Sequence, residues 1–193
     1  FAILIGSMII LQFSKFTGQT PLGNIIALLL IRDLGPTLTA LLIILRSATA
    51  VTVEISYMNV FNEMDALEMS GLDPLWVVCV PRLVGITSAI LCLFIVFDIT
   101  AILGGYGVVW LVTYINLGDY LSQIANNISV ADIVVGIIKA ILFGITITVI
   151  CLYHGFKTKQ HITQIPVAAS KASVQCLGAC LIVSATISTL FYL

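Results

Sequence analysis

Between Leu75 and Ile115 the chain runs for 41 residues with only two charged side chains, Arg82 and Asp98. As one straight helix this run would reach about 60 Å at ~1.5 Å per residue, about twice the ~30 Å hydrocarbon core of a bilayer. Part of it must therefore lie outside the membrane or bend, and the GGYG at 104–107 offers a weak point. Four further apolar blocks occupy residues 1–13, 22–57, 130–153 and 167–193. The second is broken by IRDLGP at 31–36, where Pro36 cannot continue a helix ladder and suits a first turn.

These blocks leave little choice of solvent. The 193 residues are 60% hydrophobic and 9% charged, whereas a soluble domain carries about 25% charged residues. Lipid must replace much of the core, and in lipid each backbone polar group has to be satisfied within the segment. The reading is an all-α integral membrane protein with five transmembrane helices in a single domain over residues 1–193. The first block, FAILIGSMIILQF, has neither an initiating Met nor a basic flank. It is neither a signal peptide nor a full span. A truncated first helix, with its native N-terminal part missing, is expected.

Net charge is −1, so no basic field points to nucleic acid. The five cysteines form no CxxC, and four lie well inside apolar runs, so they read as small packing residues. Lysine sets the orientation. Residues 154–171 hold Lys157, Lys159 and Lys171, while 116–132 hold none. The positive-inside rule puts the former in the cytoplasm, and counting spans back puts 58–74 there too.

That cytoplasmic segment carries Glu63, Asp65, Glu68 and Asp73 and no basic residue before Arg82. Val60, Met64 and Leu67 follow one helical face, Gly71 suits a helix end and Asp73-Pro74 signals a turn. Surface-lying helices usually carry Lys and Arg toward the negative inner leaflet, which counts against a lipid-lying helix here. A solvated connector and a docking helix for a cytoplasmic partner both remain open.

The stretch EMDALEMSGLDPLWVVCVPRLV resembles the signature of MlaE-type (YrbE-type) permeases through Glu63, Asp65, Ala66, Leu67, Gly71, Asp73, Pro74, Pro81 and Arg82. Upstream, IRDLGPTLTALL and RSATAVTVEIS resemble two further motifs of that family, the second through Arg46, Ala50 and Glu54. The likeness covers nearly the whole chain in matching order. Leu45, Ala48 and Ser56 stand where the family has glycines, and ITQIPVAASKASV replaces a glycine-rich stretch.

The resemblance implies the permease half of a bacterial inner-membrane ABC transporter that moves phospholipid. Its implied partners are a second copy of the chain, a cytoplasmic ABC ATPase, a periplasmic MCE-domain protein and a small STAS-type accessory protein. It makes 58–74 a cytoplasmic coupling helix between the second and third spans, with Glu63, Asp65, Leu67, Glu68, Gly71, Asp73, Pro74 and Arg82 as coupling residues. It also implies a lipid pocket in which Ile9, Leu11 and Phe13 border acyl chains and Arg32 and Asp33 lie near the headgroup. The sequence contains no GxxxxGK[ST] loop, so ATP and Mg belong on a separate chain.

Charges within the apolar blocks need partners, because an ionisable group at mid-bilayer costs at least ~2.5–3.5 kcal/mol. Arg32 and Asp33 are equally readable as parts of an interhelical ion pair. Arg46 and Glu54, about two turns apart, suit helix positioning, and Lys139 suits snorkelling or a pair with Asp98. His154 and His161 lack ligand spacing and read as solvated, so no metal site is expected. In the last block Ala168/Ala172 and Ala169/Ser173 invite close helix approach. An ion-coupled secondary transporter using Asp33, Glu54 and Asp98 is the alternative. An intramembrane enzyme lacks HExxH and GxSxG, and no catalytic residue is assigned.

Overall fold

The computed structural model describes Met8, residues 33–113, Gly118, Ser122, residues 130–158 and residues 162–192. Among these there is no strand. Helix α1 spans Gly35–Val60 and contains one π-helical turn at Ile44–Ala48. Helix α2 is the short Glu63–Met69. Helix α3, Val80–Thr113, is entered through a second π-helical turn at Leu75–Cys79. Helix α4 is Val130–Lys157, and helix α5 is Ile165–Tyr192, preceded by a 3₁₀ turn at Ile162–Gln164.

Four segments are long and apolar enough to cross a membrane: Gly35–Val60, Leu75–Gly104, Val130–Lys157 and Ile162–Phe191. They correspond to four of the five expected blocks. The expected first span at 1–13, the stretch 22–32 and most of 116–129 lie outside the described residues. α3 stays helical through Gly104–Gly107, while its stretch apolar enough to cross a membrane ends at Gly104. Each helical glycine costs about 1 kcal/mol relative to alanine. Opening the ladder in an apolar medium costs several kcal/mol per unsatisfied group, so the helix continues.

The residues fall into two compact units, 1–38 with 92–138, and 39–91 with 139–193. In the first, Phe94 lies where a Cβ on Gly136 would sit, 2.8 Å from the ring tip, so only glycine lets α4 come this close. In the second, α5 packs against the π-turn and final turns of α1. Its buried stripe is Ala169, Ala172, Cys176 and Cys180. The small-residue approach expected of the last span is thus made within the chain, in a register one helical step from the pairs read from the sequence.

Glycine also sets the α1–α4 approach. A Cβ on Gly155 would lie 2.7 Å from Ile55 Cγ2 and 2.8 Å from its Cβ. Two buried hydroxyls are satisfied within their own helices, Thr52 donating to Ala48 O at 2.8 Å and Thr148 to Gly144 O at 2.7 Å. This removes the cost of burying them beside lipid-facing helices.

Candidate coupling surface

Helix α1 ends at Val60 because Asn62 takes a left-handed conformation, φ 57°, and turns the chain. Val60 therefore belongs to α1, and the expected common face Val60–Met64–Leu67 is corrected to Met64 and Leu67 alone. Met64 is buried with Ile55 and Val78, and Leu67, Met58, Leu152 and Phe156 pack around them. One short helix is thereby pinned to α1, α4 and the entry of α3.

The end of α2 is fixed by its backbone. Gly71 adopts φ 81°. Gly71 N–H bonds Glu68 O at 3.0 Å and Leu72 N–H bonds Leu67 O at 3.1 Å. This is a Schellman closure, which glycine permits without a Cβ penalty. Asp73 then caps the next helix. Its Oδ1 accepts from Leu75 N–H at 3.0 Å, its carbonyl accepts from Trp76 and Val77 N–H at 3.2 Å, and Pro74 fills the first helical position. Gly71, Asp73 and Pro74 shape the turn, while Glu63, Asp65 and Glu68 point to solvent with Asp73.

A polar clamp holds the base of this turn. Asn59 Nδ2 donates to Phe156 O at 2.9 Å and to Thr158 O at 2.7 Å. Ser56 Oγ and Thr158 Oγ1 are 2.9 Å apart, and Thr158 Oγ1 also donates to His154 O at 3.0 Å. Asn59 thus satisfies carbonyls left open at the C-terminal end of α4. The clamp places the acidic turn and the lysine-bearing turn on one side of the helices, as the orientation reading requires.

Arg82 joins α3 to α1 through Nη2 to Glu54 Oε1 at 3.1 Å, and contacts Met58 Sδ at 3.8 Å. Glu54 and Arg82 were both singled out in the sequence but not as partners. Lys139, fully buried, donates from Nζ to Ser188 Oγ on α5 at 2.8 Å, a partner the sequence did not suggest. Asp98 Oδ1 has no hydrogen-bond partner among the described residues. Arg46 lies exposed in the π-turn of α1. Asp33 is half-buried and its carbonyl accepts from Thr37 Oγ1 at 2.6 Å. Ile9, Leu11, Phe13 and Arg32 lie outside the described residues.

The clamp residues Ser56, Asn59 and Thr158 were missed in the sequence. Their bonds link positions 97 to 102 apart, and such pairing leaves no periodic trace. The only signal was a cluster of small polar residues at the ends of two apolar blocks.

The profile of the family described as Permease MlaE matches residues 1–190. The intermembrane phospholipid transport system permease protein MlaE of Haemophilus influenzae is 38% identical over 144 residues, covering 73% of this chain and 54% of its own length. A probable ABC transporter permease protein of Rickettsia typhi is 30% identical over 155 residues, 78% of this chain and 60% of its own. One from Rickettsia prowazekii is 29% identical over 191 residues, 97% and 74%. The chain thus spans from about half to three quarters of the length of these curated relatives.

Proposed function

The chain belongs to the MlaE permease family, and from that premise we propose that it is the membrane subunit of an ABC transporter that moves phospholipid between the inner membrane and periplasmic MCE carriers. The naming of the Haemophilus relative supports the substrate class. The observation that carries the mechanism is the acidic turn Glu63–Pro74, whose charges face outward while Met64 and Leu67 lock it to α1, α3 and α4.

In this reading a cytoplasmic ATPase grips the turn. Binding and hydrolysis of ATP occur on that other chain, and this chain supplies no chemistry. Movement of the gripped turn passes into α1 and α4 through the Met64 cluster and the Asn59 clamp, and between α1 and α3 through Glu54–Arg82. These helices shift as packed units because dense interiors transmit displacement rather than absorb it. A homodimer, a periplasmic MCE-domain carrier and a STAS-type accessory protein complete the proposed assembly. Arg32 and Asp33, with Ile9, Leu11 and Phe13, are proposed to border the transported lipid.

The test reverses the charge of the grip. Asp65→Lys with Glu68→Lys, made in the full-length permease, is expected to abolish co-purification of the ATPase and lipid transport while the protein still inserts and folds. Undiminished association and transport would remove the docking role.

A further inference from the structure

Where α4 ends and α5 begins lies a cavity of about 390 Å³, lined by His154, Lys157, Thr158, Gln164, Val167, Ala168 and Lys171. It belongs to neither the coupling turn nor the proposed transport pocket. Its charge is one-sided. From residue 133 to the end the sequence has no Asp or Glu, and among the described residues neither Lys157 nor Lys171 is in an ion pair. Lys157 Nζ rests 5.5 Å from the Tyr153 ring centre, a contact that leaves its positive charge unneutralised. His154 Nε2 donates to Gln175 Oε1, which fixes the ring on the cavity wall.

Depth decides what such a cavity is offered. His154 and Lys157 are in the last turn of α4, Gln164 in the 3₁₀ turn before α5, and Val167 and Lys171 in the first turns of α5. Two candidate spans therefore meet the aqueous boundary here, at the level of lipid phosphates. Val167 and Ala168 add an apolar wall beside the cations. Basic pockets between transmembrane helices on the cytoplasmic side suit anionic headgroups, each lysine contributing about 1 kcal/mol.

We propose that this cavity is a binding site for the phosphate-bearing headgroup of an anionic lipid in the cytoplasmic leaflet, held by Lys157 and Lys171. The lipid is a resident of the α4–α5 hairpin rather than cargo. This stands beside the transport reading and not on it, since it requires that α4 and α5 cross the bilayer with their junction on the cytoplasmic side.

The test is native mass spectrometry of the full-length permease with its ATPase, titrated with dioleoyl phosphatidylglycerol or dioleoyl phosphatidylcholine. Lys157→Gln with Lys171→Gln is expected to weaken phosphatidylglycerol binding about 25-fold, roughly fivefold per lysine, and to leave phosphatidylcholine unchanged. The charge-retaining Lys157→Arg with Lys171→Arg should keep the preference, which separates lost charge from lost fold. Unchanged phosphatidylglycerol binding in the glutamine variant overturns the proposal. So does displacement of the lipid by excess inorganic phosphate, which would mark a site for soluble phosphate. Release of the ATPase with phosphatidylglycerol binding intact would assign the cavity to a protein carboxylate and overturn it as well.

Discussion

Two turns leave the same side of the helices and are built in opposite ways. The acidic one, from Phe61 to Pro74, has four carboxylates and no cation, and every bend in it is fixed: Asn62 and Gly71 by positive φ, Asp73 by its cap on α3, Met64 by burial. The basic one, at the α4–α5 junction, has lysines and no carboxylate and surrounds an open cavity. A fixed turn with outward charge passes displacement to its helices. An open one with lysines on its wall offers positive charge to an anionic headgroup. The Asn59 clamp joins them, bonding the end of α1 beside the first to the end of α4 beside the second.

The largest effect expected from breaking this contrast comes from Met64. It is 5% exposed and has no polar role. Met64→Ala should cost about 2–5 kcal/mol, the range for emptying a packed site of that size. Denaturant titration of the reconstituted permease measures it. Removing an exposed acid such as Asp65 should shift stability by no more than about 0.5 kcal/mol. Equal costs at the two positions would mean the acids, not the pins, hold the turn, and the contrast with the basic turn would fail.

Asn59 comes next. Its amide serves two carbonyls at the end of α4, so Asn59→Ala should cost about 1–3 kcal/mol, with water repaying part of it. The sharper measurement is coupling. If the clamp carries motion from the acidic turn to α4, the alanine variant keeps ATPase binding but turns over ATP with less transported lipid. Unchanged transport per ATP would leave Asn59 a structural cap and separate the two turns functionally.

Much of this arrangement was legible beforehand, and for a physical reason. Hydrocarbon imposes a length and a composition on each span, so apolar runs at 22–57, 75–115, 130–153 and 167–193 foretold the four candidate spans. Their ends were less legible, because Asn62 and Thr158 close helices through φ values and hydrogen bonds rather than hydropathy. Gly104–Gly107 marks where the candidate span ends and not where the helix breaks, because glycine's cost is local while the ladder's is not. Gly71 and Asp73-Pro74 were readable, as each acts on its immediate neighbours. Ser56, Asn59 and Thr158 were not, since their partners come from across the fold.

The smallest effect expected is at Glu54–Arg82, and it tests the surroundings of the contrast rather than its core. Glu54 is 65% exposed and Arg82 18%, at 3.1 Å. Carboxylate and guanidinium so unequally covered should couple by about 0.2–1 kcal/mol, as solvent-exposed pairs do. A double-mutant cycle of Glu54→Gln and Arg82→Gln isolates that value. Were coupling to exceed about 2 kcal/mol, the Glu54 carboxylate would be shielded in the assembled transporter by lipid or by a second subunit. The pair would then be a strut at an interface, and force entering at the acidic turn would have a second exit through α3, bypassing the clamp at Asn59.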